Sequence, residues 1–230
     1  MDAALADVVV DDRAVVVDET LVIADLHIGK ATVANVELPV GERDMVERFD
    51  ALCERYRPRT VVVAGDVLHS FDTIPRLAEE TLTGLLDTAE AVGADVVVTP
   101  GNHDTMLDAV WSGTTTPEHR IGETLVCHGH VEPEGDATRY LIGHDHPAIR
   151  IEGQTHPCLL AGDGIYRNAN LLVLPSFNGL VTGVTVNTLS TSDFLSPLIR
   201  NVDRLSPVVF DERSSEPLCF PPLGQLRTHL

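Results

Sequence analysis

The sequence predicts an α/β fold in which two sheets pack face to face with helices outside, a four-layer αββα sandwich. Two observations carry this. Between residues 20 and 100, apolar runs alternate with segments of helical period, the βαβαβ grammar of a parallel sheet. After residue 120 the helical period gives way to short apolar runs punctuated by Gly, Pro and Asn, as a second sheet requires. A third observation concerns the site: clusters of Asp, Asn and His stand where the apolar runs end.

Taken in order, Ala6–Val10 and Ala14–Val17 read as a hairpin around Asp11-Asp12-Arg13, and Leu21–Ala24 as the next strand. Residues 42–57 place Val46, Phe49, Leu52 and Tyr56 on one helical face and stop before Pro58. Thr60–Ala64 is an apolar strand. Residues 75–91 form a helix with Leu77, Leu82, Leu85, Leu86 and Ala89 facing inward, and Ala94–Thr99 is a further strand. Thr124–Cys127, Tyr140–Ile142, Ala148–Glu152, Cys158–Ala161, Asn170–Leu174 and Gly179–Thr185 supply the second sheet. Pro197, Pro207, Pro217, Pro221 and Pro222 mark 196–230 as extended chain wrapping the surface outside a core of about 5–190. One domain over 1–230 is the expectation for this length.

Acidic residues outnumber basic ones 35 to 16, the net charge is −19, and Lys30 is the only lysine. An acidic chain almost without lysine points to a halophile, whose carboxylates hold water and cations in concentrated salt. Net negative charge counts against a polyanionic partner, because neutralising phosphates drives that binding. In a halophile the background is shifted, and local patches decide. No run of 18 apolar residues and no basic-then-apolar leader is present, so a cytoplasmic location and no membrane partner are expected. Cys53, Cys127, Cys158 and Cys219 lack CxxC spacing and are expected as free thiols. Strand alternation turns Cys127 away from its neighbour His128.

The clusters are Asp25-Leu26-His27, Gly65-Asp66, Gly101-Asn102-His103-Asp104, His128-Gly129-His130 and Gly143-His144-Asp145-His146. Carboxyl ends of strands in an α/β core converge on one crevice. Asp25, His27, Asp66, Asn102, His128, His144 and His146 together offer the mixed N and O donors of a two-metal phosphoester-cleaving site. Without thiolate they favour Mn, Fe, Zn, Co or Ni over Mg or a Zn–Cys site. Gly65, Gly101 and Gly143 let the chain turn off each strand and approach an ion closely.

This ordered set resembles the calcineurin-like metallophosphoesterase superfamily, and the expected sandwich is of the metallophosphoesterase type. Ala24–Lys30, Gly65–His69 and Leu174–Asn178 are similar to the archaeal SbcD-related phosphoesterases and the bacterial ligase-associated endonuclease group. The resemblance implies a phosphoesterase with two divalent cations, Mn²⁺ first. Asp66 bridges them, one held also by Asp25, His27 and His146, the other by Asn102, His128 and His144. A hydroxide between the metals attacks phosphorus, and His103 protonates the leaving group, with Asp104 hydrogen-bonded to its other ring nitrogen. Lys30 is a candidate for substrate phosphate, His69 for substrate phosphate or support of the ligands, and His130 for support of the ligands or simple packing at the strand end. Asp145 is expected to point away from them, and Arg43 and Arg76 are weaker cationic candidates. The substrate is expected to be a phosphodiester, with DNA first; small nucleotides or phosphoproteins are the alternative, and a non-catalytic metal-binding scaffold the remote one. Substrate choice is assigned to loops 28–45, 69–76 and 105–119. Without a long coiled-coil region, processive double-strand cleavage is disfavoured. A homodimer is compatible with the sequence, which sets no oligomeric state.

Overall fold

The computed structural model describes residues 3–30, 40–69 and 74–227. Parts of the expected substrate loops 28–45 and 69–76 lie outside these residues. The first sheet has six strands in sequential order: β1 (Val8–Asp11), β2 (Ala14–Val17), β3 (Thr20–Ala24), β4 (Thr60–Ala64), β5 (Asp95–Val98) and β6 (Thr114–Thr115). β1 to β3 form an antiparallel meander, and β3 to β6 are parallel. Asp11 pairs with Ala14, so the first turn is Asp12-Arg13, with Asp12 in the left-handed region at φ 51°.

α1 (Val40–Tyr56) and α2 (Arg76–Val92) cross from β3 to β4 and from β4 to β5. Met45, Phe49, Leu52 and Cys53 of α1, and Ala78, Leu82, Leu85 and Ala89 of α2, pack on Leu21, Ile23, Val61 and Val63 of the sheet. The α2 stripe runs i, i+4, i+7, i+11 from Ala78, so Ala78 rather than Leu77 faces the core. Gly93 ends α2 in the left-handed conformation, its N–H donating to Glu90 O at 2.9 Å.

The second sheet has seven strands in the order β16-β15-β12-β13-β9-β8-β7. They are β7 (His119–Ile121), β8 (Thr124–Val126), β9 (Arg139–Ile142), β12 (Leu159–Tyr166), β13 (Ala169–Val173), β15 (Ser206–Asp211) and β16 (Glu216–Cys219). Alternation along these strands splits their side chains between two cores. Val126, Leu141, Leu159, Leu172 and Val208 meet Val15, Val22, Val62 and Ala64 between the sheets. Leu125, Cys127, Tyr140, Ile142, Leu160 and Leu171 face outward. There they are covered by a small sheet of β11 (Gln154–Pro157), β10 (Pro147–Ile151) and β14 (Val184–Thr185), by short 3-10 turns, and by α3 (Leu223–Leu226). This outer layer is built from turns and short strands rather than long helices. The strand expected over Gly179–Thr185 is reduced to β14, and all four cysteines are free, with Cys127 on the outer core as expected.

Within 196–227, much of the chain departs from the surface wrap expected of 196–230. β15 lies inside the second sheet between β12 and β16. Leu198, Ile199, Val202, Leu205 and Leu223 are buried against the sheet's outer face. Pro207 is tolerated because N and O of a strand residue face the same neighbour. Pro207 O accepts from Phe220 N, so its missing N–H faces the side on which the β16 ladder has already ended at Cys219. Truncating Leu205 therefore opens a core cavity. Leu205→Ala is expected to lower unfolding free energy by about 2–5 kcal/mol in urea denaturation. An unchanged midpoint would return this segment to the surface.

Candidate metal centre

Every cluster identified in the sequence leaves the carboxyl end of a strand. Asp25 follows β3, Asp66 follows β4, residues 101–104 follow β5, His128 follows β8 and residues 143–146 follow β9. Parallel pairing sets neighbours side by side. Ala24 pairs with Ala64 and Val126 with Leu141, so the residues just beyond them meet at the shared rim of both sheets. Cross-sheet contact is close: His128 Nδ1 lies 3.3 Å from Ala64 O, and His144 N donates to Asp25 Oδ2 at 2.9 Å.

Asp25, His27, Asp66, His144 and His146 all have positive φ, at 54°, 42°, 45°, 73° and 45°. This conformation costs an L-residue about 1–2 kcal/mol. Asp and His visit it more readily than most, but five such residues at one rim still concentrate strain. Gly65 and Gly101 keep the rim tight. A Cβ on Gly65 would stand 2.0 Å from His128 Nδ1, and one on Gly101 2.1 Å from Asp66 Oδ1.

Two groups of donors result. Ligating atoms of Asp25, His27, Asp66 and His146 lie within 4.8 Å of one another. His27 Nε2 faces His146 Nε2 at 3.2 Å, and His146 Nε2 is 3.4 Å from Asp25 Oδ2. On the other side, His128 Nε2 is 3.1 Å from His144 Nδ1, 3.2 Å from Asn102 Oδ1 and 3.6 Å from Asp66 Oδ2. Asp66 Oδ2 is also 3.9 Å from His27 Nε2, so its carboxylate stands between the groups.

The donor chemistry fits divalent cations. Asp25 and Asp66 are 0% and 2% exposed, and among the described residues Asp25 Oδ1 has no hydrogen-bond partner. Buried carboxylates need cationic compensation. Burial pushes His27 down to about 2, with His146 and His103 adding to the effect, and pushes His128 and His144 down to about 4. These imidazoles are neutral at pH 7, the state in which they ligate metal. Burial opposes the charged form of His146 too, but Asp25, Asp66 and Asp145 outweigh it and raise its pKa. Desolvation raises Asp66, against the backbone N–H of His103, which donates to Asp66 Oδ1 at 2.9 Å.

The remaining candidates divide. His103 caps the 3-10 turn Asp104–Ala109; its ring centroid is 5.3 Å from that of His27 and 6.4 Å from that of His69, to which it is parallel. Asp104 makes backbone contacts that the sequence did not suggest. Its Oδ1 accepts from Leu68 N at 3.1 Å and its Oδ2 from Gly101 N at 2.8 Å, because the tight 101–104 turn directs the side chain back at its own loop. Burial raises its pKa to about 6. His69 lies edge-on to His27 at 5.6 Å, and His130 lies 5.0 Å from His128. Lys30 is close enough that its charge lowers the pKa of both His27 and His69, after burial. Arg43 and Arg76 are exposed and paired with Glu47 and Glu80 on their own helices. Asp145 points away, accepting from Leu195 N at 2.7 Å and Ser196 N at 3.0 Å. Ser196 Oγ in turn donates to Gly129 O, tying the two His-rich turns together. Ser196 carried no motif signal, since a lone Ser after a loop is unremarkable in sequence.

Residues 19–148 match the family model for the calcineurin-like phosphoesterase domain. Among solved structures, the chain is similar to nuclease MPE from Pseudomonas putida, at 19% identity over 91% of this chain and 92% of that one, with TM-score 0.64. YfcE, a phosphoesterase from E. coli, aligns at 14% identity over 89% of this chain and 98% of that one, with TM-score 0.45. A comparison with curated proteins returned no match. Among the described residues no helix is long and apolar enough to cross a membrane. With five ligand-type clusters on one two-sheet rim and the matching family model, the chain belongs to the calcineurin-like phosphoesterases, metal-dependent hydrolases of phosphoesters.

Proposed function

We propose that this chain is a two-metal phosphodiesterase that cleaves DNA. The observation that supports it most is the carboxylate of Asp66 standing between two donor groups, Oδ2 being 3.9 Å from His27 Nε2 and 3.6 Å from His128 Nε2. In this reading Asp25, His27, Asp66 and His146 hold one cation, and Asp66, Asn102, His128 and His144 the other, with Mn²⁺ the first choice. When bound, such cations acidify water and offset charge on the phosphoryl oxygens. His103 carries the proton for the leaving oxygen. Nδ1 of its ring is buried, so Nε2 is the nitrogen that serves. Asp104 holds the 101–104 turn that presents both Asn102 and His103. Lys30, with His69 beside it, receives a phosphate flanking the scissile one, the contact a polyanion needs on a chain of net charge −19. The fold shared with a nuclease supports the DNA reading. The acidic composition supports assay in molar KCl and a halophilic, cytoplasmic setting.

The deciding assay compares labelled DNA, bis-p-nitrophenyl phosphate and p-nitrophenyl phosphate with Mn²⁺ in high KCl. Hydrolysis of DNA and the diester is expected. Cleavage of the monoester alone would favour a phosphatase of small substrates or phosphoproteins, and inert protein with bound metal a scaffold. Asp66→Ala is expected to abolish activity and release at least one cation; two retained ions by mass spectrometry would reject the bridge.

His103→Ala is expected to keep its metals and to slow esters with poor leaving groups about 10²–10⁴-fold, far more than nitrophenyl esters, because a good leaving group needs no proton. Equal losses on both ester types would exclude the acid role. Lys30→Ala is expected to raise KM for oligonucleotides while leaving bis-p-nitrophenyl phosphate unchanged, since the small diester has no flanking phosphate. An unchanged oligonucleotide KM would remove the phosphate contact.

A further inference from the structure

The Asp25–His27 turn has an unusual backbone problem. Asp25 and His27 are both left-handed, so the peptide groups around Leu26 cannot continue the parallel ladder of β3. The buried N–H and C=O groups of this stretch still need partners. On one side they find them in the strand partner's own turn: Asp25 N donates to Gly65 O at 3.1 Å, His27 N to Asp66 O at 2.8 Å and Ile28 N to Val67 O at 2.9 Å.

On the other side, successive carbonyls are taken by three residues that follow β13. Phe177 N donates to Ala24 O at 2.8 Å. Ser176 Oγ donates to Asp25 O at 2.6 Å. Asn178 Nδ2 donates to Leu26 O at 2.8 Å and to His27 O at 3.3 Å. Ser176 is 2% exposed and Asn178 0% exposed. Asn178 is itself fixed, its Oδ1 accepting from Leu180 N at 2.9 Å and its own N–H donating to Ser176 Oγ at 3.3 Å.

The strap is braced from behind by two guanidinium groups. Arg13, from the β1–β2 turn, donates to Ser176 O at 3.0 Å and Asn178 O at 3.2 Å. Arg48 of α1 donates to Phe177 O at 3.4 Å and sits over the Phe177 ring at 5.6 Å. Side-chain donors from a third strand end are thus directed at the backbone of the turn, and the ligating atoms of Asp25 and His27 remain free to face the crevice. A side chain that only filled space here would have no need of an amide.

We propose that Asn178, with Ser176, is the positioning residue that holds the Asp25–His27 turn in its metal-binding shape. It touches neither metal nor substrate and acts through the backbone of Leu26 and His27. The inference rests on the reading of Asp25 and His27 as ligands.

The test is Mn²⁺ titration of the apoprotein by calorimetry, with circular dichroism and thermal melts in the presence and absence of Mn²⁺. Asn178→Ala removes both donors. Asn178→Asp keeps the volume and the acceptor for Leu180 N but sets an oxygen against the two carbonyls, so it decides the matter if the Ala variant does not fold. Outer hydrogen-bonding partners of metal ligands are worth about 10–100-fold in metal affinity. A Kd for Mn²⁺ raised by that factor is expected, together with a smaller Mn²⁺-induced rise in Tm. A folded variant with wild-type Mn²⁺ affinity would overturn the proposal. So would a lower Tm of the apoprotein with an undiminished Mn²⁺-induced rise, because the amide would then serve stability alone. His27→Ala separates the two readings: if it leaves Mn²⁺ binding intact, the ligand assignment has failed, and if it loosens an ion while the Asn178 variants bind normally, only the positioning role has failed.

Discussion

Two carboxylates, Asp25 and Asp66, are buried where two sheets meet, with exposures of 0% and 2%, and no Lys or Arg is paired with either among the described residues. A buried carboxylate without a cation is costly, by several kcal/mol per ion even after relaxation. Imidazoles surround this pair, but burial keeps most of them neutral and so denies the carboxylates their compensation. The same desolvation that makes the carboxylates unfavourable makes the imidazoles available as ligands. Divalent cations resolve both conditions, and the remainder of the rim is arranged around that requirement.

Meeting it demands backbone shapes that ordinary strands do not supply. Five of the seven candidate ligands are left-handed, so each side chain turns off its strand sharply enough to reach the common crevice. At about 1–2 kcal/mol each, that strain is comparable to the whole net stability of a small domain. It persists because neighbouring elements over-determine each turn. Asp104 holds the 101–104 turn through Leu68 N and Gly101 N, and Asp145 and Ser196 hold the turns after β8 and β9. Ser176 and Asn178 do the same after β3. The residues that hold these turns are therefore as specific in their contacts as the candidate ligands.

The sequence made the shared rim of the Asp, Asn and His clusters legible because each cluster closes an apolar run, and parallel strands put their carboxyl ends at one edge. Asp66 and His128 could be placed on that logic alone. The role of Asp104 could not. Sequence adjacency to His103 suggested a side-chain pair and gave no sign that the tight turn directs the carboxylate at Gly101 N. The strap over 176–178 was visible only as a motif, since its partners Asp25, Leu26 and His27 lie about 150 residues away in sequence. β15 was obscured by Pro207, whose missing N–H is harmless only because the adjacent ladder ends there. Prolines near a chain's end read as surface until the register of the neighbouring strand is known.

The central claim is that Asp66 joins two cation sites, each built from the rims of both sheets. Anomalous diffraction from crystals loaded with Mn²⁺ tests it most directly. The account predicts two peaks about 3.5–4 Å apart on either side of Asp66, one against Asp25, His27 and His146, the other against Asn102, His128 and His144. A single peak, or two that do not share Asp66, would contradict it.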